Sequence, residues 1–228
     1  MTIYAMQIAE WLRKHANQEN ARSMEAYMRN QFPFLGLKTP ERMQLTREFW
    51  KEHGMPKGEE LLQTADELWQ LPEREYQYTA MVMLDKHRKL ADEAHIDRLE
   101  HYIVTKSWWD TVDILAGQLV GSHLLKFADL IADYPDRWIQ SDNMWLRRTA
   151  LLYQLKYKER TDQERLFHYI DLQKEEEEFF IRKAIGWALR EYAKTSPDVV
   201  RRFVKETSLS ALSVKEALKH IGKEAASG

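Results

Sequence analysis

A chain of 228 residues, 44% of them hydrophobic and 11% aromatic, can bury a sizeable core, and its eight Trp and ten Tyr rule out a disordered or low-complexity chain. The net charge of −2 argues against a non-specific nucleic-acid coat, although the distribution of charge matters more than its sum. No cysteine is present, which excludes disulfides, thiol nucleophiles and Cys-bound zinc or iron–sulfur clusters.

In chain order, the opening segment MTIYAMQIAEWLRKH is amphipathic, with charges where a signal peptide would be apolar, and no apolar run approaches a membrane span. The expectation is a soluble, cytoplasmic protein. Thr39-Pro40-Glu41 reads as a cap, then a proline at the first helical position, then a first-turn acid. Leu71-Pro72-Glu73 starts another segment, and Ser196-Pro197-Asp198 repeats the first grammar. Between these signals apolar residues recur at three- and four-residue spacing, and neither an alternating strand pattern nor an Asn-Gly or Asp-Gly hairpin turn interrupts them. The predicted class is all-α, with roughly a dozen helices in one domain covering residues 1–228.

Self-comparison adds a period. WLRRTALLYQLKY at 145–157 laid over FIRKAIGWALREY at 180–192 pairs Leu146 with Ile181, Arg147-Arg148 with Arg182-Lys183, and Tyr157 with Tyr192, an offset of 35 residues. Doubling that offset puts Thr79-Ala80 under Thr149-Ala150. Two helices per period of this length predict a curved α-solenoid of the HEAT or TPR kind, whose inner helices line a concave groove.

The period assigns faces. Asp113, Arg148 and Lys183 take the same position in successive repeats. Trp109 lies one turn before Asp113 and Trp187 one turn after Lys183, while Lys156 and Arg190 return to the same faces two turns on. One stripe therefore carries a carboxylate, two tryptophans and several cations, an odd composition for a core. In VTKSWWDTVD, residues 104–113, Trp108 is expected to pack inward and Asp110 to serve as a first-turn acid. Asp113, beyond the first turn, is the better catalytic candidate. From Arg182 to Lys223 ten basic residues face four acidic ones, after the acidic quartet Glu175–Glu178. A solvated helix face is the ordinary meaning of such a run. The eight histidines, His220 among them, show no ligand-like pairing, and metalloprotease, phosphate-loop, dinucleotide and nucleophile-elbow signatures are absent. No metal or cofactor is expected.

From about residue 20 to 222 the chain resembles the AlkD family of bacterial HEAT-like repeat DNA glycosylases. The resemblance is carried by YMRNQFPFLGLKTPER (27–42), LWQLPEREYQ (68–77), VTKSWWDTVD (104–113), SDNMWLRRTALLYQLKYK (141–158) and FFIRKAIGWALREYAKTSPDVV (179–200). It departs at Met43, where close relatives are expected to carry a basic residue, and in a short C-terminus whose closing Ala226-Ser227-Gly228 carries no weight.

The resemblance implies excision of cationic alkylated purines, such as 3-methyladenine and 7-methylguanine, from duplex DNA without the usual extrusion of the base into a pocket. Asp113 matches the carboxylate, Trp109 and Trp187 the flanking aromatics, Tyr27 another groove aromatic, and Arg148 a phosphate-side cation. Thr39, Lys156, Lys183 and Arg190 join the expected DNA-binding residues, and the protein is expected to work as a monomer. An N-alkylated purine already carries positive charge and leaves neutral, so the second carboxylate of ordinary glycoside hydrolysis is not required. Competing readings are a non-catalytic DNA-structure binder and a protein-binding HEAT scaffold.

Overall fold

Among residues 1–219 and 221, which the computed structural model describes, every regular element is a helix. His220, Lys223 and the closing Ala226-Ser227-Gly228, read above, lie outside the described residues. The chain divides into two units, Met1–Ala91 and a second beginning at Asp92. No helix among the described residues is long and apolar enough to cross a membrane.

The first unit holds α1 (Ile3–Arg13), α2 (Gln18–Tyr27), α3 (Thr39–His53), α4 (Gly58–Gln70) and α5 (Arg74–His87). In α1, Ala5, Ile8, Ala9 and Leu12 bury one stripe, and the Thr2 hydroxyl caps the start by accepting from the Ala5 amide at 3.2 Å. Thr39 is not the cap of α3. Extended Lys38 takes that place without a side-chain cap bond, so Thr39 and Pro40 are the first two helical residues. Pro40 brings no N–H, which leaves one orphan donor fewer for a cap to satisfy. Ser196 does stand at the cap position of its helix, also without a side-chain cap bond.

A buried carboxylate organises this unit. Glu75, in the first turn of α5, accepts the backbone amides of Leu35, Gly36 and Leu37 at 2.9, 2.9 and 3.0 Å. Burial pushes its carboxyl up, and the amides pull it back towards the charged form. The loop before α3 would otherwise present three donors to an apolar interior.

The second unit runs through α6 (His95–Val104), α7 (Trp109–Ile114), a π-helical turn over Leu115–Val120, α8 (Gly121–Lys126), α9 (Leu130–Asp133) and α10 (Pro135–Trp138). It continues with α11 (Met144–Leu152), α12 (Gln163–Gln173), α13 (Phe179–Ala193), α14 (Pro197–Glu206) and α15 (Ala211–Ala217). Its long-range side-chain bonds join neighbouring repeats. Arg137 reaches Glu100 across 37 residues, Tyr157 reaches the Gly121 carbonyl across 36, Gln173 reaches the Ile139 carbonyl across 34, and Arg148 reaches Asp113 across 35. Bonding restricted to the adjacent unit is the mark of a helical repeat. The longer-range match of Thr79 with Thr149 holds in detail too. Both are buried, and each hydroxyl donates to the carbonyl four residues earlier at 2.8 Å, Glu75 in one case and Trp145 in the other.

Two close approaches need glycine. A Cβ on Gly121 would lie 2.4 Å from the Tyr153 carbonyl oxygen, and one on Gly186 would lie 2.5 Å from the Glu216 Cβ. The first seats α8 beside the chain that follows α11, and the second lets α15 lie directly on α13.

Glu75→Gln should cost about 1–3 kcal/mol, because an amide nitrogen in place of one oxygen leaves buried backbone donors unpaired. Chemical denaturation reads this directly, and an unchanged midpoint would mean that the loop amides find other acceptors.

Candidate active site

The stretch that holds two tryptophans and two carboxylates is the entry to α7. Trp108 is its extended N-cap, and its ring packs against Trp145 at 5.8 Å and edge-on against Phe180 at 5.3 Å. Trp145 and Phe180 in turn lie 5.1 Å apart. Trp108 therefore packs inward, into an aromatic cluster supplied by α11 and α13, with its indole N–H buried and lacking a hydrogen-bond partner. Trp109 is the first helical residue and is half-buried; Asp110 occupies the first turn and is buried.

Asp113 lies one turn on. Arg148 from α11 donates to both of its oxygens, Nε to Oδ1 at 2.7 Å and Nη2 to Oδ2 at 2.9 Å. The third donor, Nη1, goes to the Phe180 carbonyl of α13, and the guanidinium lies 5.7 Å from the Phe180 ring. Arg148 is only 5% exposed, against 16% for Asp113, so the carboxylate is the member of the pair that meets solvent. Burial pushes the Asp113 carboxyl above its ordinary value, the Arg148 bonds and charge oppose that, and the nearby Asp110 charge adds to it.

The sequence placed Arg148 on a phosphate. In the structure its guanidinium is buried and spent on Asp113 and Phe180, for the physical reason that α11 sets it directly opposite the carboxylate one repeat earlier. Lys183 and Arg190 are also paired: both bind Glu216 of α15, Lys183 Nζ to Oε1 at 2.8 Å and Arg190 Nη1 to Oε2 at 2.8 Å. Trp187 sits between them on α13, half-buried. Lys156 is exposed and donates to Gln118 Oε1, on the π-helical turn, at 3.1 Å. Tyr27 and Thr39 belong to the first unit. Tyr27 ends α2 with 71% of its surface exposed, and Thr39 is exposed at the start of α3.

The structure thus joins Asp113 to Arg148, Lys183 and Arg190 to each other through one anion, and Lys156 to Gln118. Glu216, Gln118 and the Phe180 carbonyl have no place in the sequence reading. The pairing of Arg148 did leave a signal, since opposite charges at one position of successive repeats predict a bond between them. Glu216 left none that periodicity alone could separate from a surface acid. Among the described residues no group of three or more His, Asp or Glu side chains converges as metal ligands would.

Asp113→Asn should cost about 3 kcal/mol, because it leaves a buried guanidinium half-paired. For a chain of this size that is a fall of roughly 6–12 °C in Tm. The double variant Asp113→Leu/Arg148→Met should recover most of it, and a double variant no better than the single one would show that the cost is not electrostatic.

Comparison with known proteins places the chain in a family. The family model described as DNA alkylation repair enzyme matches residues 8–221. No curated protein matches the chain. Among solved structures, a predicted DNA alkylation repair enzyme from Enterococcus faecalis is 38% identical, with a TM-score of 0.84 over 91% of this chain and 97% of its own. AlkD2 from Streptococcus mutans is 21% identical, with a TM-score of 0.61 over 81% of this chain and 91% of its own. The protein smu.31 from Streptococcus mutans UA159 is 19% identical, with a TM-score of 0.58 over 80% of this chain and 96% of its own. The last two show likeness of fold alone.

Proposed function

Because the chain belongs to the DNA alkylation repair enzyme family, we propose that it is a monofunctional DNA glycosylase that releases cationic N3- and N7-alkylated purines from duplex DNA. The observation that carries the reading is the Asp113 carboxylate, held by a buried bidentate guanidinium and turned with its remaining surface to solvent.

The leaving base is already a cation and departs neutral, so neither a strong general acid nor a metal is required to expel it. What the reaction needs is stabilisation of the positive charge that develops on the deoxyribose. Arg148 uses one lone-pair direction on each Asp113 oxygen and leaves the outward ones for the sugar cation and for a water aimed at its carbon. Pairing to Arg148 also favours the ionised carboxylate against the burial that would protonate it. In this reading Arg148 orients the catalytic group, and the phosphate contacts of the second unit fall to Lys156, Lys183 and Arg190; Tyr27 and Thr39 are the DNA-contacting residues of the first unit taken by itself. Trp109 and Trp187 offer ring faces to the same cation, each worth about 0.5–2 kcal/mol. Contacts of these kinds read backbone and charge, so the base need not enter a recognition pocket. The protein acts as a monomer and needs no cofactor.

The burial of Arg148 against Asp113 also suits a structural ion pair in a non-catalytic DNA binder. Single-turnover release of 7-methylguanine from a defined duplex separates the two readings. Asp113→Asn should lower the rate about 100- to 1,000-fold, the scale of losing one electrostatic group aimed at a developing charge. Trp109→Ala and Trp187→Ala should lower it roughly 2- to 30-fold. No release by the wild-type protein would leave the binder, and release undiminished in Asp113→Asn would put the chemistry on another group.

The pH profile carries a second prediction. Catalysis requires the carboxylate, and burial raises its pKa, so activity should fall away on the acid side at a pH above the ordinary 3.8 of aspartate. Arg148 lowers that pKa, so Arg148→Gln should move the acid limb to still higher pH. A limb that stays in place when Arg148 is replaced would show that another group titrates.

A further inference from the structure

Glu216 is the acid that the proposed reaction does not use, and it sits on the face the reaction does use. Its backbone is fixed there. Ser210 caps α15 by accepting from the Ser213 amide at 3.1 Å, the Ser213 hydroxyl donates to the Arg182 carbonyl at 2.9 Å, and Gly186 gives the Glu216 Cβ room to lie on α13. From that seat the carboxylate puts one oxygen on Lys183 and the other on Arg190, each at 2.8 Å, on either side of Trp187 along α13. Two other acids of this basic stretch pair locally. Glu191 takes Lys194 and Asp198 takes Arg201, each on its own helix or immediately beside it and three residues away. Glu216 alone among these described pairs reaches across from another helix to hold two cations at once.

A carboxylate carries one negative charge spread over two equivalent oxygens, and so does a DNA phosphodiester. We propose that Glu216 is a built-in stand-in for a DNA phosphodiester: it keeps Lys183 and Arg190 side by side in the absence of DNA and competes with the phosphate that would bind them. The inference rests on the reading of α13 as a DNA-contacting helix and deepens it. Lys183 is 35% exposed and Glu216 15%, so the ammonium can meet an incoming phosphate while the carboxylate lies beneath it. When a phosphate takes the cations, the released carboxylate recaptures a solution cation, and the net number of counterions expelled on binding falls by about one. Glu216 thereby weakens the grip on undamaged duplex and makes it less dependent on salt.

The test is binding of an undamaged fluorescent duplex across a salt series. Glu216→Gln, which can still accept from one cation and keeps its Cβ on Gly186, should bind roughly fivefold tighter at low salt and steepen the slope of log K against log salt by about one. The gain should vanish when Lys183 and Arg190 are both already glutamine. Equal or weaker binding with an unchanged slope would overturn the proposal, as would a gain that survives without the two cations. If Glu216→Gln does not fold, intact Glu216 still decides the matter. Lys183→Gln should lower the slope by clearly less than Lys156→Gln does, because part of its charge is already spent; equal losses overturn the proposal. A wild-type protein that fails to bind duplex overturns both this inference and the function it rests on. One that binds and releases alkylated bases while Glu216→Gln is silent overturns the inference alone.

Discussion

The bidentate contact between Asp113 and Arg148 is the interaction on which the second unit and its site both depend. It joins α7 to α11, and through the Phe180 carbonyl it joins α11 to α13, so three elements of successive repeats meet at one guanidinium. Taking a guanidinium out of water costs several kcal/mol, and only near-ideal geometry with additional hydrogen bonds offsets that. Nε, Nη1 and Nη2 all have acceptors, and the Phe180 ring lies beside the positive charge. The Trp108, Trp145 and Phe180 rings keep the neighbourhood apolar, which strengthens the pair and makes its loss expensive.

Charge in the rest of the second unit follows from the same constraint at lower stakes. A chain with net charge −2 can approach DNA only if its cations are gathered and its anions kept elsewhere or spent. The basic run that begins at Arg182 looks like a strong positive patch when counted along the sequence. In space much of it is already paired, Lys194 with Glu191, Arg201 with Asp198, and Lys183 and Arg190 with Glu216. The field it projects is therefore set less by how many basic residues it holds than by which acids α15 brings to them.

That distinction explains what was legible in the sequence. Helical periodicity is local, so the all-α class and the boundaries near Pro40, Pro72 and Pro197 could be read directly, with an error of one residue at Thr39 where proline blurs the cap. The offset of 35 residues is longer in range but still one-dimensional, and it put Asp113 and Arg148 in the same position of neighbouring repeats. What it could not state is which charges answer each other once both are there. The resemblance implies a phosphate-side role for Arg148, whereas in the structure its guanidinium answers the internal carboxylate. Glu216 was out of reach, since its role depends on how closely α15 lies on α13, and that turns on the missing side chain of Gly186.

A site assembled from repeat contacts carries a particular cost. Asp113, Arg148, Trp109 and Trp187 are each buried or half-buried, and the proposed catalytic carboxylate and its guanidinium also hold neighbouring helices. In a deep pocket on a rigid scaffold, a catalytic residue can be exchanged with little effect on the core. Here a change that removes charge also unpairs its partner, and lost activity can follow from lost packing as readily as from lost chemistry. Conservative exchanges separate the two, because Asp113→Asn retains shape and some hydrogen bonding while removing the anion. The π-helical turn after α7 fits the same picture. It interrupts regular helix directly behind Asp113 and carries Gln118 to Lys156, so an irregularity that lowers helical regularity lies where the proposed chemistry requires a particular side-chain direction. Regular repeats set the elements in register, and the departures from regularity aim the side chains.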